Sequence, residues 1–365
     1  MFRILRSLFL CLPAFALQSR ALGFTQSEFL NFLSTYETRT YTADDTDWAL
    51  REMRTFEAWR LFTAKHKVPG EGIVIASPDT GLVKHPAVFQ DGTYISNIQL
   101  ARARDFVDVK IGAADPMTPP VRIGSTAHGT MVAAALIAPP GILIDGKSFP
   151  PGVAPGAKLL PLRVANLPVL HKPALMESAI RYAVKHGAHV INISMAGPHM
   201  SAELGSAILE AREQGVLVIC AAGQGITSIQ YPALAAGAFA ISASTIEQIP
   251  WNAAAYGSKI FVSAPGLNVW HSFVEKIAET DKLKFTIAQG YGTTFASSFV
   301  SGTAALWLSY HGRDNLIEKY GASGIADIFE QLVREYGHRT PAGWDTNNYG
   351  LGIIDAEALL KAPLP

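Results

Sequence analysis

Apolar, β-branched runs alternate with helical patterns along most of this chain, and that alternation restricts its fold more than any other feature. Strands are predicted at 72–76, 158–164, 189–194, 216–222, 238–243 and 259–262. Helices are predicted at 48–62, 128–138, 174–186, 202–214, 294–310 and 325–335, with shorter ordered stretches at 27–33 and 355–360. Repeated strand–helix units with wholly apolar strands are typical of a mostly parallel sheet with helices on both faces. The sequence therefore predicts a three-layer α/β fold.

Composition supports one large folded unit. The 365 residues are 49% hydrophobic and carry 30 basic and 30 acidic side chains. That apolar content is sufficient for a single extensive core. A net charge of zero gives no electrostatic reason to expect binding to nucleic acid or to an anionic membrane. Since no linker interrupts the pattern after Trp48, we predict one domain over 46–365, preceded by a short arm over 22–45.

The first 21 residues resemble an export signal. Arg3 and Arg6 precede a short apolar run, and small residues at 14–16 or 19–21 offer cleavage sites. We predict a signal peptide over 1–21 and a secreted or periplasmic protein; a buried N-terminal helix is the alternative. The run is too short to span a bilayer, so no membrane span is expected after its removal. Cys220 lies in an apolar run and is predicted to be a buried hydrophobic residue rather than a catalytic thiol.

Four kinds of polar group lie at the ends of predicted elements. Asp79 follows a strand in Asp-Thr-Gly, His128 begins a helix, and Gln224 follows the strand at 216–222. Hydroxyl side chains, Thr294 among them, begin the long apolar helix. Each has an ordinary structural explanation, such as a turn or a helix cap. Asp-Thr-Gly also occurs in aspartic proteases, but this chain has one copy and no all-β pattern.

The order carboxylate, imidazole, hydroxyl is the chain order of the subtilisin triad. The surrounding segments resemble subtilases (peptidase family S8) in the same order, over almost all of 46–360. They are Asp79-Thr-Gly, Ala127-His-Gly-Thr, Gly152-Val-Ala-Pro-Gly, Ile191-Asn-Ile-Ser-Met-Ala-Gly, Tyr231-Pro-Ala, Ser263-Ala-Pro-Gly, Gly292-Thr-Thr-Phe-Ala-Ser-Ser and Tyr349-Gly-Leu-Gly. The resemblance implies a subtilisin-like fold.

The resemblance also implies roles for individual residues. Asp79 would orient His128, which would act as general base for a hydroxyl at the helix start. The family's nucleophilic serine aligns with Thr294, and its oxyanion asparagine aligns with Gln224. Ser297 lies about one turn further along the helix and matches a structural serine of the family. The substrate-binding segments align with Ser194, Met195, Ala196 and Gly197, and with Ala222 and Gly223; these are uncharged and favour an uncharged, fairly apolar substrate side chain.

Two functions remain open at this point. The chain could be an endopeptidase with a threonine nucleophile, since all four positions keep a carboxylate, an imidazole, a hydroxyl and an amide. Alternatively, it could be an inactive subtilase fold that binds extended peptides by adding a strand to the edge at 194–197. Either function implies a polypeptide partner. No cofactor is predicted; Asp105 and Asp108 could contribute to a calcium site, although solvated loop acids are the simpler explanation. Residues 271–289 are predicted to be a hairpin or loop insertion that could gate the site.

Overall fold

The computed structural model describes residues 24–115, 127–277, 280 and 282–365. The signal peptide predicted over 1–21 lies outside these residues. None of the helices in the described part of the chain is long and apolar enough to cross a membrane.

The described elements follow the predicted alternation. The helices are α1 (Gln26–Thr35), α2 (Trp48–Glu52), α3 (Thr55–Thr63), α4 (His128–Ile137), α5 (Pro173–Lys185), α6 (Ala202–Glu213), α7 (Thr293–His311), α8 (Arg313–Tyr320), α9 (Gly324–Glu335), α10 (Thr346–Tyr349) and α11 (Ala356–Lys361). The strands are β1 (Val74–Asp79), β2 (Phe89–Gln90), β3 (Thr93–Tyr94), β4 (Arg104–Asp105), β5 (Lys110–Ile111), β6 (Leu143–Ile144), β7 (Lys147–Ser148), β8 (Lys158–Arg163), β9 (Val190–Ile193), β10 (Leu217–Ala221), β11 (Ala238–Ser244), β12 (Ile260–Pro265), β13 (Leu267–Lys276), β14 (Leu283–Tyr291), β15 (His338–Arg339) and β16 (Ile353–Ile354).

A ten-stranded sheet forms the centre of the fold. Its order is β15-β16-β12-β11-β10-β9-β1-β8-β4-β5. Its pairs are parallel except at the two edges, where β15 and β5 run antiparallel to their neighbours. One apolar core lies between the sheet and the face that carries α4 and α7, and a second lies between the sheet and α5 and α6. The predicted three-layer, subtilisin-like α/β architecture is confirmed.

Two predicted boundaries were wrong. The helix predicted over 48–62 is two helices, because Arg54 between them adopts a left-handed conformation with φ of 56°. Residue Arg54 also forms an ion pair with Asp355, its Nη1 lying 3.5 Å from the Asp355 Oδ2 atom. The strand predicted to end at Ala76 continues to Asp79, because Ser-Pro-Asp, which is typical of a turn, is here paired with β8 along its length. Asp79 is therefore the last residue of the central strand β1.

The N-terminal arm packs against the domain. Phe29 is fully buried and makes an edge contact with Trp59, while Phe32 also packs on Trp59. Further along the arm, the Ala43 carbonyl accepts hydrogen bonds from the Trp270 indole (2.9 Å) and from the Gln289 amide (2.8 Å). The arm thus joins the helices at the start of the domain to the β13–β14 hairpin.

The C-terminal helix packs on the same region. The Ala356 backbone N–H donates to the Met53 carbonyl at 2.9 Å, and α11 lies against α3 and α7. Elements separated by about three hundred residues of sequence are therefore direct neighbours.

Candidate active site

A carboxylate and an imidazole meet where β1 ends and α4 begins. The Asp79 Oδ1 atom lies 2.8 Å from His128 Nδ1, and both residues are almost completely buried. The Thr80 backbone N–H donates to the same carboxylate oxygen at 2.7 Å. A proton on His128 Nδ1 donates to this carboxylate, which leaves the lone pair of Nε2 facing away from Asp79.

The third residue of the sequence prediction lies at that lone pair. His128 Nε2 is 3.1 Å from Thr294 Oγ1, within hydrogen-bond range. Thr294 is the second residue of α7, a buried helix that begins after Gly292. The Thr294 hydroxyl is also 3.3 Å from the Ser194 carbonyl oxygen, so it has two acceptors within reach.

Ser297 does not join this chain of contacts. It is fully buried, its hydroxyl donates to the Thr294 carbonyl at 3.1 Å, and it lies 3.0 Å from the Ser194 hydroxyl. Its contacts are those of a structural serine, as the sequence predicted.

Gln224 lies next to the start of α7, and Thr293 holds it there. The Gln224 Oε1 atom accepts from both the Thr293 backbone N–H (3.0 Å) and the Thr293 hydroxyl (2.9 Å). The Thr293 hydroxyl in turn accepts from the Gly223 N–H at 3.2 Å. With its oxygen bound in this way, the amide NH2 is directed past Gly292, where a Cβ would lie 3.2 Å from Gln224 Nε2. Thr293 was not predicted as a functional residue, because a threonine at a helix start is ordinarily explained as a cap.

The predicted substrate-binding segments face each other. A Cβ built on Gly223 would lie 3.7 Å from the Ala196 Cβ and 2.8 Å from the Gln230 Cγ. Ala222 precedes this glycine at the end of β10, and Ser194 and Met195 are buried behind Ala196. Gln230 therefore borders the space between the two segments, a contact that the sequence analysis missed because the residue lies outside any recognised motif.

The segment 194–197 is paired along both flanks. Gly197 exchanges two backbone hydrogen bonds of 2.9 Å with Tyr231. On the other flank, the Ala196 carbonyl accepts from the Leu170 N–H at 3.1 Å. The free edge that the sequence analysis assumed for strand addition is therefore occupied by the chain itself.

The predicted insertion is a hairpin of β13 and β14 next to the site. Its His271 ring packs on Phe295, the residue after Thr294, with ring centroids 5.2 Å apart. Burial lowers the pKa of His271 to about 4, with a smaller contribution from the charge of His128. The imidazole is therefore neutral near pH 7 and contributes packing.

The two acids considered for calcium bind a guanidinium instead. Arg163 Nη1 lies 2.6 Å from Asp105 Oδ2 and 2.9 Å from Asp108 Oδ2. Asp105 is fully buried, so the simpler explanation of a solvated loop acid was wrong for that residue. Because Arg163 already balances the charge of these acids, we do not propose calcium there.

Cys220 is a buried residue of β10. Burial raises the pKa of its thiol, which keeps it protonated and unreactive. Its predicted role as a small hydrophobic residue agrees with this environment.

Comparisons with known proteins agree with the fold and the order of the motifs. A sequence model of the subtilase family, Peptidase S8, matches residues 70–321. M-protease of Shouchella clausii (strain KSM-K16) is 30% identical over 300 residues, which cover 80% of this chain and 65% of M-protease. Subtilisin BL of Lederbergia lenta is 29% identical over 300 residues, covering 80% of this chain and 92% of that protein. The chain thus spans just under two thirds of the length of M-protease.

A solved structure gives the same answer for the fold. The structure titled as proteases from Pseudoalteromonas arctica PAMC 21717 superposes with a TM-score of 0.69 at 23% identity, covering 87% of this chain and 96% of that one. The family match extends over most of the chain, and it includes both the end of β1 and the start of α7. The chain belongs to the subtilase family of peptidases.

Proposed function

We propose that this chain is an exported endopeptidase that uses Asp79, His128 and Thr294 as its catalytic residues. The hydrogen-bonded sequence from the Asp79 carboxylate through the His128 ring to the Thr294 hydroxyl carries the proposal. Each contact is within hydrogen-bond range, and the three residues come from different elements of the fold. A carboxylate, an imidazole and a hydroxyl that converge from β1, α4 and α7 are typical of a catalytic site.

The proposed reaction begins at the threonine hydroxyl. Thr294 Oγ1 attacks the scissile carbonyl carbon while its proton passes to His128 Nε2, and Asp79 stabilises the resulting imidazolium. His128 then gives that proton to the leaving amine as the C–N bond breaks. Water hydrolyses the threonine ester by the same route, with His128 again accepting and returning the proton. The extra methyl group of threonine restricts rotation about χ1, so turnover should be slower than with serine.

Gln224 is the proposed oxyanion donor. Because Thr293 binds the amide oxygen, the amide NH2 group is the part left to face the developing negative charge. Gln224 is one methylene longer than the asparagine of the family. Thr293 fixes the orientation of this longer side chain, because its backbone N–H and its hydroxyl both donate to the amide oxygen.

We infer that the primary pocket takes a small, uncharged side chain. The pocket proposed between Ala196 and Gly223 carries no charge, and the Gln230 side chain borders it. The Gln230 amide is tethered to the Ser228 carbonyl at 2.9 Å, which holds it in that position. A large side chain would have to displace Gln230.

An inactive, peptide-binding subtilase is the second candidate, and one observation favours it. The Thr294 hydroxyl has a single proton and two acceptors, His128 Nε2 at 3.1 Å and the Ser194 carbonyl at 3.3 Å. When the proton is donated to Ser194, His128 cannot remove it. In that arrangement the fold would bind polypeptides without cleaving them.

Hydrolysis of casein and of mixed peptides by the purified protein tests the first proposal. We expect cleavage by the wild type, at least about 10³-fold loss in Thr294→Ala, and faster cleavage by Thr294→Ser. Labelling with a fluorophosphonate, followed by intact mass, should modify the wild type and not Thr294→Ala. Thr303→Ala is the matched control, because Thr303 is a buried threonine of the same helix with no contact to His128.

The outcomes separate the two candidates. If the wild type is inactive and the Thr294→Ser variant cleaves peptides, the fold can support catalysis and the threonine is what prevents it. If all the folded variants neither cleave nor label, the endopeptidase proposal is wrong and the peptide-binding function takes its place.

Export is a separate part of the proposal. It is supported by the basic residues and apolar run at 1–12, followed by small residues suited to cleavage. Expression in a bacterial host with cell fractionation, followed by N-terminal sequencing of the recovered protein, tests it. Recovery of an uncleaved chain from the cytoplasm alone would contradict it.

A further inference from the structure

The edge at 194–197 is the surface that an extended peptide would pair with, and in this structure another part of the same chain pairs with it. Leu170 donates its N–H to the Ala196 carbonyl at 3.1 Å, within a parallel bridge between Val169 and Ala196. Tyr231 pairs with Gly197 on the opposite flank. Backbone groups of Ala196 and Gly197, two and three residues beyond the Ser194 carbonyl that contacts the Thr294 hydroxyl, are therefore engaged from opposite sides.

The segment around Leu170 and the segment 194–197 lie so close together that no third backbone fits between them. A Cβ on Gly197 would lie 2.3 Å from the Leu170 carbonyl oxygen. Neighbouring strands are separated by about 4.8 Å, so a peptide inserted between the segments requires one of them to move by about that distance. Gly197 is packed on Tyr231, so Leu170 and its neighbours are the part that must move.

Residues 164–172, which we call the strap, connect β8 to α5. The ends of the strap are held firmly: the Val164 N–H donates to the Asp79 carbonyl at 2.8 Å, and α5 begins at Pro173. Its middle is held by hydrogen bonds from Val169 to Leu167 (2.8 Å) and from His171 to Val169 (3.0 Å), and the buried Arg163 guanidinium donates to Asn166 nearer its start. The strap is longer than the roughly two to six residues that are usual for a connection from a strand to a helix.

The strap has room to rearrange. A cavity of about 170 Å³ lies beneath it, lined by strap residues together with Val107, Leu175 and Met195. Leu170 is 2% exposed and anchors the strap, whereas Val169 is 36% exposed. A shift of Leu170 into the cavity would release the Ala196 carbonyl without unfolding β8 or α5.

We propose that the strap is a latch that occupies the peptide-pairing edge in the resting protein, and that an extended peptide binds by displacing it. The inference rests on the proposed function, since it assigns 194–197 to peptide binding. The measured affinity for an extended peptide is then the intrinsic affinity reduced by the fraction of molecules with an open strap. A small ligand that reaches Thr294 without pairing with 194–197 pays no such penalty.

A disulfide across the bridge tests the latch. Directly paired residues of neighbouring strands are close enough for a disulfide, so the full chain is prepared as Val169→Cys with Ala196→Cys. Every sample also carries Cys11→Ser, so that Cys220, which is buried, is the remaining native thiol. The two probes are a tetrapeptide boronic acid that ends in alanine and methylboronic acid, each titrated against the oxidised and the reduced protein. The single variants Val169→Cys and Ala196→Cys are the matched controls.

The expected result is a selective and reversible loss. Oxidation should weaken binding of the tetrapeptide boronate at least tenfold and leave binding of methylboronate within about twofold, and reduction should restore the affinity for the tetrapeptide boronate. If the tetrapeptide boronate binds the oxidised and reduced forms equally, the latch is wrong while the proposed nucleophile stands. If neither boronate binds the reduced protein, the proposed function fails, and the latch fails with it because the edge then serves no reactive centre.

Discussion

The proposed catalytic centre and the proposed peptide edge at 194–197 differ in how far each is arranged for its proposed role. At the centre, Asp79, His128 and Thr294 are buried and lie within 2.8 and 3.1 Å of their partners. At the edge, a few residues away, the Ala196 carbonyl is already bound to Leu170. The first arrangement needs no movement before reaction, whereas the second must open before an extended ligand can enter. If both proposals hold, the fold controls the access of the peptide rather than the assembly of the reacting groups.

The elements that carry the two regions explain the difference. The centre is built on the ends of a central strand and of two buried helices, which the core fixes from all sides. The edge meets a connection between elements, and connections are where conformational change is concentrated. Changes to the centre should therefore remove activity outright, and changes nearby should have graded effects.

Asp79→Asn should give the largest effect on the prepared centre. An amide keeps the size of the side chain but can hold His128 in the wrong tautomer, which costs about 10⁴-fold in kcat in the serine protease triad. We expect a loss of about 10³- to 10⁴-fold in kcat with unfolding free energy near that of the wild type, measured with a peptide substrate and by urea titration. The same change at an exposed acid, Asp327→Asn, is the control and should leave kcat unchanged.

A kcat within about tenfold of the wild type for Asp79→Asn would contradict the view that the centre is already arranged for catalysis. It would mean that the buried contact between Asp79 and His128 contributes structure and little catalysis.

Gln224→Ala should cost less, because it removes one donor and keeps the nucleophile and base. A loss of about 10²-fold in kcat with little change in KM is expected; 10²–10³ is the figure for the corresponding donor in subtilisin, a relative of this chain. Thr293→Val removes the hydroxyl bond to the amide oxygen but keeps the backbone N–H bond, so it should produce a smaller loss, and Thr293→Ser, which keeps the hydroxyl, should show little loss.

A double-variant cycle distinguishes positioning from direct contact. If Thr293 acts through Gln224, Thr293→Val should have little further effect in the Gln224→Ala background. Full additivity of the two losses would show that Thr293 stabilises the transition state independently, and would remove its role as a positioning residue.

The smallest effect concerns His85, which packs against the hairpin beside the site. Burial lowers its pKa to about 4, and its Nε2 lies 3.1 Å from the Thr286 carbonyl while Nδ1 accepts from the Ala87 N–H. His85 takes up a proton near pH 6.5 in the unfolded state and only near pH 4 in the folded state. Its contribution to the free energy of unfolding is therefore complete above pH 6.5 and is lost as the pH falls toward 4. The full loss is on the order of 3 kcal/mol.

Urea unfolding at several pH values between 7 and 4.5 measures this loss. His85→Gln should show a shallower decline in unfolding free energy than the wild type, and His66→Gln, at an exposed position, should not differ from the wild type. Equal slopes for His85→Gln and the wild type would show that His85 does not carry the pH dependence.

The sequence predicted the sheet well, because wholly apolar strands form a local pattern, and the structure brings together the three residues that we propose as catalytic. Wholly apolar strands and a helix that begins at His128 are recognisable without knowledge of the fold. The order of Asp79, His128 and Thr294 along the chain then matched a known family. The approach of these groups follows from the parallel arrangement, which brings the carboxyl ends of neighbouring strands to one edge.

Contacts between segments could not be predicted in this way. That Thr293 would bind the amide oxygen of Gln224 depends on how α7 meets the end of β10, and no local pattern encodes that meeting. The pairing of Leu170 with Ala196 likewise depends on the path of a connection between two elements. The break at Arg54 escaped prediction because the apolar residues keep their helical spacing through a residue whose backbone is left-handed.

The contact between Arg54 and Asp355 has a consequence for how the protein is made. Arg54 and Met53 bind residues of the 355–361 region, so the helices at the start of the domain complete their packing only after α11 has been synthesised. Contacts between such distant residues form slowly, because the loop between them must close first. The helices at the start of the domain therefore lack this packing partner until the chain is almost complete.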